Sequence, residues 1–86
     1  MSMIGKIVKS TSGRDKGKYL AVIGEAGEFL VLANGRQRKL DNPKHKKPKH
    51  VEILNKEVTE SVKRAVQDMT VTNKMLYRAI KESLNS

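Results

Sequence analysis

The longest apolar runs in this sequence of 86 residues are only five residues long, at positions 19–23 and 29–33. Glycine or other turn-forming residues flank both runs. Short runs that are rich in Val, Leu and aromatic residues favour β-strands over helices when turn signals bound them. We therefore predict two central strands, at residues 18–24 and 28–33. Runs of this length are also far too short to cross a bilayer, so we expect no membrane partner.

Further strands are predicted on both sides of the central pair. Residues 3–9 mix apolar and basic side chains, as in a half-buried strand. Asn34 and Gly35 form the strongest short-range hairpin signal, because a type I′ turn needs positive φ at both central positions. The second central strand should therefore turn back into a polar strand at residues 36–40.

A last strand is predicted where Val51 and Ile53 alternate with polar residues. Five short strands joined by tight turns suggest a small closed barrel over residues 1–54, which leaves few exposed edges. Tyr19 and Phe29 belong to the apolar runs, so we expect both rings in the core of this barrel.

Residues 55–86 change to a helical period, with apolar residues at spacings of three and four. Asn55 and Thr72 are candidate N-caps. The pattern predicts two amphipathic helices, a helical hairpin, in a mainly β chain with C-terminal helices. Whether this hairpin covers the barrel, binds a protein partner or forms a dimer contact is left open by periodicity alone. The apolar positions are Val58, Val62, Ala65, Val66 and Met69 in the first helix, and Met75, Leu76, Ala79, Ile80 and Leu84 in the second.

The formal charge of +9 is concentrated in two segments of the chain. Residues 1–18 carry +4 and residues 34–50 carry +6, whereas residues 19–33 carry −2 and residues 51–86 carry +1. A large excess on a small domain points to a polyanionic partner. A basic surface kept for solubility is the alternative, but it would spread the charge more evenly. Two basic segments separated by an apolar one predict a single binding face assembled by folding.

The first basic segment contains a glycine-rich loop with Gly13, Arg14, Lys16, Gly17 and Lys18. Glycine lets the backbone turn through conformations closed to other residues and approach a ligand closely. The spacing does not match a Walker phosphate loop, because no Gly-Lys-Ser/Thr opens a helix. Taken alone, the loop is equally compatible with an ordinary basic hairpin turn.

The second basic segment combines a predicted strand with a lysine-rich loop. Pro43 and Pro48 stiffen this loop, which reduces the entropy lost when it is ordered against a partner. Lysine-rich loops grip the phosphate backbone and do not read bases. A solvated charge run is the alternative. The candidate RNA-binding residues of this segment are Arg36, Arg38, Lys39, Lys44, His45, Lys46, Lys47, Lys49 and His50.

The stretch from residue 4 to residue 24, IGKIVKSTSGRDKGKYLAVIG, resembles the KOW motif, with Gly17 at the position of the motif's glycine. This motif occurs in ribosomal large-subunit proteins and in transcription elongation factors. The likeness extends to residue 54. The sequence over this longer stretch is similar to small bacterial KOW proteins related to the eukaryote-type ribosomal protein fourteen, six and twenty-seven family. The resemblance implies an SH3-like barrel and RNA as ligand. It says little about the two helices, and KOW domains also bind proteins.

Several other functions find no support in the sequence. Cysteine is absent, and His45 and His50 lie among lysines that disfavour a cation, so we expect neither a metal site nor a cofactor. The serines and histidines show no nucleophile–base pattern, so we do not expect an enzyme. The first thirteen residues lack the long apolar stretch of a signal peptide, which favours a cytoplasmic protein.

The sequence therefore predicts a non-catalytic protein that binds structured RNA, with ribosomal RNA or the ribosome as the expected partner. Single-strand binders stack bases on exposed aromatic platforms, and this chain has few aromatic residues. The main alternative is a protein-interaction module that docks on a translation or transcription partner through its C-terminal helices. Duplex DNA is a third possibility, because charge alone does not distinguish nucleic acids.

Overall fold

The computed structural model describes residues 2–86 and contains five β-strands, a single 3-10 turn and two α-helices. The turn Pro48–His50 leads directly into the last strand. A mainly β chain with C-terminal helices is therefore confirmed. No helix among residues 2–86 combines the length and the apolar character needed to cross a membrane. The elements are β1 (Lys6–Ser10), β2 (Tyr19–Ala26), β3 (Phe29–Ala33), β4 (Lys44–Lys46), β5 (Val51–Glu57), α1 (Glu60–Gln67) and α2 (Asn73–Leu84).

The five strands form one antiparallel sheet with the order β4-β3-β2-β1-β5. Within residues 2–86 no strand pairing joins β4 to β5, so the hydrogen-bonded sheet is open and these strands are its two edges. The register shifts between Val22 and Gly24 in the β2–β3 pair, and between Lys6 and Val8 in the β1–β5 pair. Irregularities of this kind bend a strand and increase its twist.

One face of the bent sheet, which we call the inner face, encloses an apolar core of its own. Successive side chains on a strand point to opposite faces, so Leu20 and Val22 of β2 share this side. Neither helix contributes a buried residue to this cluster, yet several of its side chains are fully buried. The curvature of the sheet must therefore supply the cover. The cluster consists of Val8, Leu20, Val22, Leu30, Leu32 and Val51, with Met3 packed against it.

The opposite face, the outer face, is covered by the helices. Ile7 and Ala21 on the sheet pack in one cluster with Leu76, Ala79 and Ile80 of α2. Val58, which precedes α1, is also buried in this cluster. Complete burial of a Leu or Ile side chain stabilises the fold by roughly 1.5–3 kcal/mol. The helices are thus part of the same folded unit as the sheet.

The predicted fourth strand at residues 36–40 is wrong. Backbone groups there already make local hydrogen bonds and do not pair with β3. The Asn34 side-chain oxygen accepts from the amide of Arg36 at 3.0 Å and from that of Arg38 at 2.9 Å. The Arg38 carbonyl in turn accepts from the Asn34 amide at 2.8 Å. The chain pairs with β3 only later, through Lys44–Lys46, inside the segment predicted to be a loop.

The predicted type I′ turn is also wrong, although the chain does reverse at this point. Gly35 has φ of +79°, but among residues 2–86 Met69 is the only non-glycine residue with positive φ, so Asn34 does not meet the requirement. The buried Asn34 side chain closes the turn instead by standing in for a backbone acceptor.

Tyr19 and Phe29 are not core residues as expected. They begin β2 and β3 and remain 37% and 38% exposed, whereas the next residues, Leu20 and Leu30, are buried. The apolar runs predicted the two strands but not that the first residue of each strand is partly exposed to solvent.

The helix starts were predicted with mixed success. Asn55 is not an N-cap, because β5 continues through it to Glu57, and α1 begins only after Thr59. Thr72 is the N-cap of α2, and its side chain accepts a hydrogen bond from the amide of Met75 at 3.2 Å, as predicted.

The contact between Gly35 and α2 yields a test of this architecture. A Cβ at Gly35 would overlap the carbonyl oxygen of Asn73, whereas a Cβ at Gly27, which also has positive φ, would meet no atom within 4 Å. We expect Gly27→Ala to lower the free energy of unfolding by roughly 1–2 kcal/mol through backbone strain alone. Gly35→Ala should lower it further, as measured by urea denaturation. Equal losses would contradict the close approach of turn and helix.

Candidate nucleic-acid interface

The glycine-rich loop between β1 and β2 is organised by its own backbone. The amide of Lys16 donates to Gly13 at 3.2 Å, and that of Lys18 donates to Asp15 at 2.9 Å. Gly13 and Gly17 have φ of +76° and +88°, a conformation that favours glycine. Because the loop satisfies its backbone internally, its cationic side chains are presented on a defined frame.

A buried carboxylate ties this loop to the turn that follows β3. Asp15 is 4% exposed, and its Oδ2 lies 3.7 Å from Nε of Arg38. That oxygen has no hydrogen-bond partner within residues 2–86, so the charge of Arg38 is its main compensation. The guanidinium of Arg38 is therefore held beside Asp15. The nearby carboxylate offsets part of its positive charge, so Arg38 attracts a phosphate less strongly than the sequence predicted.

A buried lysine ties the same region to β4 on the other side. Lys46 is 7% exposed, and its Nζ donates to Oγ of Ser10 at 2.9 Å and to the carbonyl oxygen of Ser12 at 2.6 Å. The ammonium group of Lys46 is thus directed inward. Lys46 was predicted to contact RNA, but its geometry makes it a residue that positions the loop.

The two basic segments therefore meet at residues 10–18, which contact the turn after β3 through Asp15 and β4 through Ser12. Folding thus brings into contact segments that are separate in the sequence. We call the surface formed by residues 13–18, 36–39 and 44–50 the basic face.

Most cations of the basic face have no carboxylate partner. Lys47 is an exception, since its Nζ lies 3.1 Å from Oε1 of Glu28. His45 and His50 are exposed within this surface. Lys46 makes hydrogen bonds but no ion pair. Besides this buried lysine, seven cations of the basic face have no ion pair within 4.0 Å among the described residues: Arg14, Lys16, Lys18, Arg36, Lys39, Lys44 and Lys49.

One groove lies within the basic face, and a second adjoins it at Lys18 and Gln37. The lysine groove, of about 300 Å³, is lined by Ser12, Phe29, Lys44, His45, Lys46, Lys47, Lys49 and His50. The tyrosine groove, of about 290 Å³, lies where β2, the turn after β3 and α2 meet, and is lined by Lys18, Tyr19, Asn34, Gln37, Tyr77, Ile80, Lys81 and Leu84.

Helix α2 positions one side of the basic face. Asn73 accepts a hydrogen bond from the amide of Leu40 through its Oδ1 at 2.8 Å. The guanidinium carbon of Arg36 lies 4.8 Å from the centre of the Tyr77 ring, within cation–π range. Tyr77 and Lys81 both line the tyrosine groove. The sequence contained a sign that they act together, because residues four apart lie on the same side of a helix.

No group of three or more His, Cys, Asp or Glu side chains that could hold a metal ion occurs in the described part of the chain. Comparison of the chain with protein-family models found no match, and comparison with curated protein sequences found none either.

The buried ammonium group gives a prediction about stability. Lys46→Ala removes hydrogen bonds from a charged donor to Ser10 and Ser12, and such bonds each contribute roughly 1.5–3 kcal/mol. We expect a loss of at least that size in the free energy of unfolding, measured by urea denaturation. The matched substitution Lys49→Ala removes an exposed lysine of the same segment and should change stability by less than about 0.5 kcal/mol. Comparable effects of the two substitutions would refute the structural role of Lys46.

Proposed function

We propose that this protein binds structured RNA through the basic face, without catalysis. The observation that carries the proposal is the convergence of the two basic segments on residues 10–18. A polyanion laid across this surface meets cations from three loops at once. Neutralising several phosphates together releases their counterions, which is the main source of affinity for nucleic-acid backbones.

The arrangement favours binding because the cations stand on loops that are already ordered. Asp15, Asn34 and Lys46 hold the three loops by buried polar contacts. Ordering flexible loops at an interface costs free energy, so loops fixed beforehand bind more tightly with the same contacts. Arg14 and Lys16 remain exposed on this frame and are available to phosphates.

A KOW domain with an SH3-like barrel is the family and fold that we propose for residues 1–54. Three features support it: the resemblance around Gly17, the antiparallel order of five short strands, and the inner core closed by curvature. Ribosomal RNA is the partner this likeness favours, and a cytoplasmic location would follow from that partner.

A folded RNA suits the basic face better than an extended single strand. The exposed cations lie on three separate loops around a compact surface, and a single strand is more often bound along one groove with a row of stacking rings. Lysine and arginine contacts to phosphates position the protein and carry little sequence information. Recognition is therefore proposed to depend on the shape of the RNA backbone.

The salt dependence of binding tests this proposal. If about five phosphates are neutralised, the logarithm of affinity for an RNA hairpin should fall with the logarithm of salt concentration at a slope of roughly −3.5 to −4.5. Arg14→Glu combined with Lys16→Glu should weaken binding across RNA sequences and flatten this slope by roughly one to two units. Fluorescence anisotropy at several salt concentrations measures both effects.

The matched control reverses the same charge on the helices. Lys74 and Arg78 are exposed, have no ion pair among residues 2–86, and line a cleft beside Val62 of α1 but neither of the two grooves. Lys74→Glu combined with Arg78→Glu should change RNA affinity far less. Equal losses in the two variants would mean that only net charge matters and that the basic face is not the site. Tighter binding to a DNA hairpin of the same sequence would favour DNA as the ligand.

A second candidate function, docking on a protein, is favoured by Met69. This residue is 90% exposed, has φ of +61°, and borders an apolar cleft of about 240 Å³ lined also by Ile23, Leu40, Val66 and Val71. Met69→Ser should abolish capture of a ribosomal or transcription partner in a pull-down if this function is correct. If the variant loses a partner while the charge reversals leave RNA binding unchanged, the docking function replaces the RNA-binding one.

A further inference from the structure

The tyrosine groove differs chemically from the basic face that it adjoins. Its lining includes two tyrosines, Tyr19 and Tyr77, and two aliphatic residues, Ile80 and Leu84, and cations contribute only part of it. The lysine groove, by contrast, is lined mostly by lysines and histidines. A phosphate backbone needs cations alone, so aromatic and apolar lining indicates a ligand with a flat, poorly solvated part.

Each tyrosine ring has a cation over it that does not line the groove. Nζ of Lys9 lies 5.7 Å from the centre of the Tyr19 ring, and Arg36 stands over Tyr77, while neither Lys9 nor Arg36 lines the groove. Lys9 is held there because it pairs directly across the sheet with Tyr19. Each tyrosine thus contacts a cation outside the groove and also lines the groove, where a ligand can reach it.

Gln37, which lines the groove, has a free side-chain donor. Asn34 uses its side-chain oxygen for the amides of Arg36 and Arg38, so its Nδ2 must point the other way, where it donates to the carbonyl of Tyr19 at 3.3 Å and to Oε1 of Gln37 at 2.9 Å. This orientation leaves Nε2 of Gln37 free, with no acceptor among residues 2–86. The amide nitrogen of Gln37 is thus available to an acceptor atom on the edge of a ligand.

These features match one unpaired nucleotide of an RNA. A base stacks on a tyrosine ring, its edge accepts from Gln37, and Lys18 and Lys81 at the groove attract the flanking phosphates. The volume of about 290 Å³ is near the lower end of sites for small ligands. We propose that the tyrosine groove holds a single unstacked base, so that the preferred ligand is an RNA helix with a bulged nucleotide. This inference rests on the proposed RNA-binding function and specifies its ligand.

The test compares a fully paired RNA hairpin with the same hairpin carrying one unpaired uridine. Stacking of a base on an aromatic side chain accounts for roughly a 5- to 160-fold change in affinity. We expect the wild-type protein to prefer the bulged hairpin by a factor in that range. Tyr19→Leu keeps an apolar side chain at a partly exposed position, so the fold should survive and affinity for the paired hairpin should change by less than about twofold. The preference for the bulge should fall towards one.

Two further variants identify the groove. Phe29 is a matched control, because it also begins a strand, is similarly exposed at 38%, and has Nζ of Lys47 5.9 Å from its ring centre, but it lies in the lysine groove. Phe29→Leu should leave the preference intact. Gln37→Glu keeps the oxygen that Asn34 contacts and replaces the free donor with an acceptor, so it should reduce the preference. Circular dichroism and urea denaturation verify that each variant is folded.

The outcomes separate this inference from the function on which it rests. Salt-dependent binding of both hairpins without preference would overturn the base site and leave RNA binding in place. Failure to bind either hairpin would overturn both. A preference that survives Tyr19→Leu but disappears in Phe29→Leu would place the base in the lysine groove and refute the assignment made for the tyrosine groove.

Discussion

Adjacent residues of the same strands carry apolar side chains on both faces of the sheet, and this constraint shapes the rest of the molecule. In β1, Ile7 lies in the outer cluster and Val8 in the inner one, and both are fully buried. A sheet that is apolar on both faces needs cover on both. Curvature covers the inner face, and the helices cover the outer one. Helix α2 is thereby seated on the sheet, which brings Asn73 against the turn that carries Gly35.

Three buried polar residues, Asp15, Asn34 and Lys46, convert this scaffold into a binding surface. Burying a polar or charged group costs free energy unless it is hydrogen-bonded or paired. Asn34 and Lys46 are compensated by hydrogen bonds, and the carboxylate of Asp15 is compensated by the charge of Arg38. Each compensation joins or closes loops that carry exposed cations. The interactions that stabilise the loops are thus made by residues other than the seven unpaired cations proposed to meet the ligand.

The successes and failures of sequence reasoning follow from the range of the interactions involved. The helix start at Thr72 was predictable because capping is local. The absence of a strand at residues 36–40 was not, because Asn34-Gly35 is also the signal of a type I′ hairpin and does not show that the Asn34 side chain bonds the amides of Arg36 and Arg38 instead. The inward direction of Lys46 depends on Ser10 and Ser12, which are distant in the chain. A lysine-rich segment gives no local sign of which lysine will be buried.

The sequence by itself determined the mainly β character, the two C-terminal helices and the concentration of charge in two segments, because periodicity and composition are properties of neighbouring residues. Only the tertiary structure decided that these segments adjoin, that Arg38 and Lys46 are turned towards the protein, and that Tyr19 and Tyr77 line one groove. Those outcomes depend on pairs of residues that are far apart in the chain. Their contacts exist only after the sheet has curved and α2 has packed against its outer face.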